Sequence, residues 1–64
     1  MFVILTQSGV HAGVCLLGEG TTTQEAWEDA FGQKPWTPYV RQCATRAWVE
    51  EVDQKELENL RANT

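Results

Sequence analysis

Few side chains in this sequence combine the residue type and the spacing that catalysis or metal binding requires. His11 is the only histidine, and Ser8 lacks the glycine-flanked context of a hydrolase nucleophile. Gly18-Glu19-Gly20 is too short for a phosphate-binding loop, and no Gly-Lys-Ser/Thr follows it. Glu50-Glu51 would point to opposite sides of an extended chain, which makes them a poor acid–base pair. We therefore expect no catalytic residue, no metal site, no cofactor and no enzymatic activity.

The two cysteines, Cys15 and Cys43, lie far apart in the sequence and outside any CxxC motif. Structural zinc sites need four ligands, and disulfide-rich secreted domains carry more cysteines than this chain does. We expect both to be ordinary thiols of the core. The alternative, a disulfide between them, would require an oxidising compartment.

The charge is acidic and unevenly distributed. The formal net charge is −4, and residues 1–33 contain acidic side chains but no lysine or arginine. Nucleic-acid binding rests on clustered basic residues, so we expect no direct nucleic-acid partner and no anionic membrane surface as partner. The chain also opens without a signal-peptide pattern and lacks a run of about 20 apolar residues. These features predict a cytoplasmic protein.

Three carboxylates, Glu25, Glu28 and Asp29, share one side of a predicted helix with no lysine beside them. Such a face is usually only solvated, but it can also dock on a basic partner and speed the encounter. Trp36 lies in a proline-flanked loop, and tryptophan is enriched among the residues that dominate binding energy. We take these four residues as the candidate partner-binding site.

The elements that must position these residues begin with a β-hairpin. Residues 1–6 and 10–17 are rich in strand-forming side chains, and Ser8-Gly9 between them is typical of a tight turn. That turn would pair Gln7 with Val10, Leu5 with Ala12, Val3 with Val14 and Met1 with Leu16. Those pairs form an almost wholly apolar core face, and Gly18-Glu19-Gly20 ends the second strand.

The opposite face of the hairpin would carry Phe2, Ile4 and Cys15. Because Phe and Ile together are unusual on a fully solvated face, a C-terminal element, a second copy or a partner should cover them. The second-copy reading predicts a homodimer through this face.

Two helices and a third strand are expected to follow. Thr22 or Thr23 is a suitable N-cap for a helix that ends at Gly32, and Thr37-Pro38 opens a second helix. Residues 45–52 favour a strand that supports the hairpin, and Asp53 begins a capping box for a last helix. The prediction is one α+β domain over residues 1–64 in the order ββααβα. The alternative is a hairpin followed by one long C-terminal helix. Trp27 and Trp48 are expected in the core.

The segment from Gly18 to Gly32, in which a hairpin leads through glycines and threonines into a helix with Glu-Ala-Trp-Glu-Asp-Ala-Phe, resembles small phage-encoded accessory proteins. In plan it is similar to some anti-CRISPR inhibitors. The resemblance covers residues 1–32. It implies a protein that occupies a basic surface of a host complex, with Glu25, Glu28 and Asp29 as phosphate mimics.

From these patterns we expect a non-enzymatic inhibitor or modulator that binds a host protein with a basic surface. Two alternatives remain open at this point. One is a self-associating assembly protein that uses the Phe2/Ile4/Cys15 face. The other is an antitoxin-like regulator whose segment 53–64 folds against its target.

Overall fold

Six elements follow one another in the computed structural model, which describes residues 1–7 and 13–62. They are β1 (Phe2–Gln7), β2 (Val14–Gly20), α1 (Thr23–Phe31), α2 (Pro38–Thr45), β3 (Trp48–Glu51) and α3 (Gln54–Ala62). This confirms the predicted α+β class and the order ββααβα. The alternative with one long C-terminal helix is wrong, because β3 separates α2 from α3. Within the described residues, no helix has the length and apolar character needed to cross a membrane.

The three strands form one antiparallel sheet in the order β2-β1-β3. β1 is therefore the central strand, and its residues Val3, Ile4 and Leu5 are almost completely buried. Because consecutive side chains of a strand point to opposite faces, this burial means that both faces of β1 are covered. A third strand beside the hairpin relieves the marginal stability of two strands alone.

The predicted register of the hairpin is wrong. Leu5 pairs with Leu16 rather than Ala12, and Val3 pairs with Glu19 rather than Val14, with an irregularity between Ile4 and Leu5. The second strand also does not end before Gly18; it continues to Gly20. The proposed Ser8-Gly9 turn lies outside the described residues. The physical reason for the shifted register is the packing of α1, which needs glycines opposite β1.

Gly18 and Gly20 of β2 bring the backbones of β2 and α1 into direct contact. A Cβ atom on Gly18 would lie 2.5 Å from the backbone nitrogen of Ala30 and 2.8 Å from the carbonyl oxygen of Ala26. A Cβ atom on Gly20 would lie 2.6 Å from the backbone nitrogen of Ala26. Only glycine permits such an approach, and the fully buried Ala26 supplies the small side chain on the helix side.

The helix boundaries follow local sequence signals. The hydroxyl oxygen of Thr22 accepts from the backbone N–H of Glu25, and Gly32 ends α1 with a positive φ of 87°. Thr37 caps α2 in the same way by accepting from the N–H of Val40. Asp53 accepts from the N–H of Glu56 at the start of α3. These caps confirm the predicted starts of all three helices.

The face of the sheet opposite α1 carries an apolar core cluster. Its buried members are Val3, Leu5, Val52 and Leu57, and the partly buried Leu16 and Leu60 pack against them. Leu57 and Leu60 belong to α3, so α3 covers this face. Arg61 of α3 also forms a bidentate ion pair with Glu19 of β2, at the rim of the same face. The sheet thus lies between α1 and α3.

Two of the three tryptophans lie closer to the surface than predicted. Trp48 is 37% exposed and Trp27 is only half-buried, so the expectation that both belong to the core is wrong. The molecule measures only 13 Å along its thinnest axis, counted between Cα atoms. A layer that thin encloses small and medium aliphatic side chains but leaves little room for an indole.

Substituting Gly18 with alanine should destabilise the protein by about 1–3 kcal/mol, the usual cost of overpacking a tight contact. The new Cβ would meet backbone atoms of Ala26 and Ala30, which cannot rotate away. Urea unfolding monitored by circular dichroism measures the change in the free energy of unfolding.

Gly13→Ala is the matched control, because nothing lies within 4 Å of a Cβ at that position and its φ is not positive. Its free energy of unfolding should stay within about 0.5 kcal/mol of the parent value. Equal losses in the two variants would contradict the close-approach argument.

Candidate functional site

The acidic face of α1 begins with Glu25, which is tied to the residue that precedes the helix cap. Its Oε2 accepts from the hydroxyl of Thr21 at 2.5 Å and from the backbone N–H of Thr21 at 3.1 Å. These hydrogen bonds, the hydroxyl first, lower the pKa of Glu25 below its ordinary value of 4.5. Glu25 is therefore a charged group whose position is fixed at the start of α1.

Asp29 and Glu28 continue this face in different directions. Asp29 Oδ2 accepts from the backbone N–H of Glu19 at 2.9 Å, which joins α1 to strand β2. Glu28 Oε1 accepts from the side-chain amide of Gln24 at 3.2 Å, one helical turn earlier. Glu25 thus has its partner in the loop that precedes α1, and Asp29 has its partner in β2. The hydrogen bond of Glu28 described here runs along the helix instead.

Three aromatic rings pack together where α1 ends. Trp27 stacks on Phe31 with ring centroids 6.0 Å apart, and Trp36 lies 6.0 Å from Trp27 and 5.8 Å from Phe31. The indole N–H of Trp36 donates to the carbonyl of Gly32 at 2.8 Å, and this bond fixes the ring beside the helix. Lys34 Nζ lies 5.2 Å from the Trp36 ring centroid, within cation–π range.

A pocket of about 570 Å³ opens between α1 and the loop that follows it. Glu28 and Trp36, two of the predicted site residues, both line it. The structure therefore brings these two together and places Glu25 and Asp29 along the same helix but outside the pocket. The remaining lining residues are Thr23, Gln24, Trp27, Gln33 and Lys34.

Sequence reasoning missed the contribution of Gln24, Gln33 and Lys34 to this pocket. Gln24 precedes Glu28 by one helical turn, a spacing that places both on one side of a helix. Gln33 and Lys34 belong to the loop after Gly32, whose path follows from the contact between Trp36 and Trp27. Of these three residues, only Gln24 could have been predicted from the sequence, through its spacing from Glu28.

The face that carries Phe2, Ile4 and Cys15 is occupied by the chain itself. Ile4 pairs with Gly18, and Gly18 meets α1, so α1 lies over this end of the sheet. Ile4 is 0% exposed, and Phe2 and Cys15 are half-buried. The expectation that a C-terminal element, a second copy or a partner covers this face is therefore wrong here, because the cover is α1, which directly follows the hairpin.

Both cysteines are free thiols and both are half-buried. In the part of the chain that the structure describes, no group of three or more His, Cys, Asp or Glu side chains is placed to hold a metal ion. His11 and Ser8 lie outside the described residues.

Replacing Thr21 with valine should raise the pKa of Glu25 towards its ordinary value, because the hydroxyl donor is lost while the backbone donor remains. A carboxyl group whose pKa is lower in the folded than in the unfolded chain stabilises the fold above the unfolded-state pKa. That contribution is lost as the pH falls through the folded-state value, so the variant should lose less stability on acidification below about pH 4.5.

Carboxyl-carbon NMR titration reports the pKa, and acid unfolding reports the stability. Thr23→Val is the control, since no hydrogen bond from the Thr23 side chain to Glu25 is recorded. An unchanged Glu25 titration in Thr21→Val would show that the hydroxyl does not set the pKa.

Comparison of the chain with models of known protein families, with curated proteins and with solved structures finds no match.

Proposed function

We propose that this chain is a non-enzymatic inhibitor or modulator that binds another protein through the acidic face of α1. The observation that carries the proposal is the set of carboxylates on one helix, Glu25, Glu28 and Asp29, in a segment without lysine or arginine before Lys34. A face of this charge is complementary to a basic surface. Proteins that handle nucleic acids present such surfaces. We therefore propose that the chain is encoded by a phage or mobile element and that its target is a host complex of this kind.

Fixed positions favour this use of the carboxylates. Glu25 is held by Thr21, and Asp29 is held by the backbone N–H of Glu19, so two of the three charges need little further ordering on binding. Preorganised groups lose less conformational entropy when a complex forms. Glu28 lies at the edge of the pocket beside Trp36, where an aromatic anchor and a charge meet.

The two alternative functions have less support. The Phe2/Ile4/Cys15 face proposed for self-association is covered by α1, and Ile4 has no exposed surface to offer a second copy. The segment 53–64 proposed for an antitoxin-like regulator contains α3, whose Leu57 is buried in the chain's own apolar cluster. Each region thus has its most buried apolar residue, Ile4 or Leu57, inside the fold rather than available to a partner.

Glu28→Lys should weaken partner binding roughly tenfold or more, because it replaces attraction with repulsion on the acidic face of α1. Glu28 is the informative position, since changing Glu25 or Asp29 would also break their hydrogen bonds to Thr21 and Glu19. The measurement is capture of a stoichiometric partner by the tagged protein from a host-like lysate, followed by affinity determination with that partner. Capture should also fall at about 0.5 M salt, where exposed charge pairs are largely screened.

Glu58→Lys on α3 is a matched control. Glu58 accepts from Gln54 one turn earlier, just as Glu28 accepts from Gln24, and the substitution changes the net charge equally. Binding that survives Glu28→Lys, or that Glu58→Lys weakens to the same extent, would contradict docking through α1. Sedimentation of the free protein would reveal a homodimer.

A further inference from the structure

The middle of the chain has the opposite charge from the rest. Between Asp29 and Glu50 there is no acidic residue, and Lys34, Arg41 and Arg46 all fall in this stretch. Among the described residues, the one recorded ion pair is that between Arg61 and Glu19, so these three cations have no carboxylate partner there. An acidic protein therefore carries a local basic sector made of the loop after α1, helix α2 and the C-cap residue Arg46.

Two shallow concavities of about 320 Å³ and 620 Å³ lie in this basic sector, on the α2 side of Trp36. Trp36, Lys34 and Arg41 line both of them. The first is completed by Trp27, Ala44 and Thr45, and the second by Pro35. No carboxylate lines either concavity, in contrast to the pocket that Glu28 lines on the α1 side.

The chemistry of these linings fits a ligand that is both planar and anionic. Trp27 and Trp36 are half-buried, so part of each indole is open for an aromatic ring to stack on. Stacking on tryptophan does not depend on which base is bound. Lys34 Nζ lies 5.2 Å from the Trp36 ring centroid, so a ring bound against this indole also lies near an ammonium group. Arg41 adds a guanidinium, which binds phosphate oxygens through two parallel hydrogen bonds.

We propose that these two adjoining concavities form a binding site for a nucleoside monophosphate. The base would stack against Trp36 and Trp27, and the phosphate would bind Lys34 and Arg41. Two cations match the charge of about −2 that a phosphate monoester carries near neutral pH. A polynucleotide strand fits less well, since the chain has a net charge of −4 and the carboxylates of α1 lie next to the site. Trp36 is common to this site and to the proposed protein-binding site, but the nucleotide proposal rests on Lys34, Arg41 and the indoles and does not require the carboxylates of α1 to bind a partner.

The test is an NMR titration of the full chain with adenosine 5′-monophosphate as the probe. Saturable shifts are expected at the indole N–H of Trp36 and at the backbone of Arg41. Arg41→Ala should weaken binding roughly tenfold, the effect of losing hydrogen bonds between charged groups. Lys55→Ala removes a cation from α3 instead and should leave the affinity unchanged.

Two smaller ligands, adenosine and inorganic phosphate, separate the contributions of the base and the phosphate. Adenosine and inorganic phosphate should each bind roughly tenfold more weakly than the monophosphate, because each lacks half of the contacts. The proposal is overturned if inorganic phosphate binds as tightly as the nucleotide, or if Arg41→Ala and Lys55→Ala behave alike. Tighter binding of a short single-stranded oligonucleotide would also overturn it, in favour of a strand-binding surface. An absence of saturable shifts up to about 10 mM would mean that no site of useful affinity exists.

Discussion

The contact between the backbones of β2 and α1 is the constraint on which the rest of the structure depends. Gly18 and Gly20 lie so close to Ala26 and Ala30 that a single added carbon would meet backbone atoms. This approach fixes the position of α1 on the sheet and thereby the position of Asp29 beside the N–H of Glu19. Gly32 ends α1, and the aromatic cluster of Trp27, Phe31 and Trp36 forms at the end of the helix positioned in this way.

The acidic and the basic side chains of the molecule lie largely on different elements of the fold. The carboxylates of α1 lie on the helix that packs on β2, and Glu19 is held by Arg61 of α3. The basic side chains in the middle of the chain follow α1: Lys34 lies in the loop, Arg41 in α2, and Arg46 just after α2. A small domain can therefore present two surfaces of opposite sign, and Trp36 lies between them, since it lines the concavities on both sides.

Local signals in the sequence predicted the elements but not their alignment. The caps at Thr22, Thr37 and Asp53 and the stop at Gly32 could be predicted because each depends on residues within one helical turn. The hairpin register could not, because Gly18 is placed opposite Ile4 by a helix later in the chain. Of the candidate site, the helix face was predictable from spacing. The pocket was not predictable, because it depends on the path by which the loop after Gly32 brings Trp36 into contact with Trp27.

Helix α2 differs from α1 and α3 in that it has no buried residue. Tyr39 is 75% exposed, and Val40, Cys43 and Ala44 are only partly covered. Substitutions on this helix therefore cost the core little, and the mutations that natural selection removes first are those that destabilise a fold. Packing therefore constrains the sequence of α2 less than the sequences of β1, β2 and α1. In evolutionary terms, the fold separates a scaffold under strong packing constraint from a helix on which substitutions are expected to cost less stability.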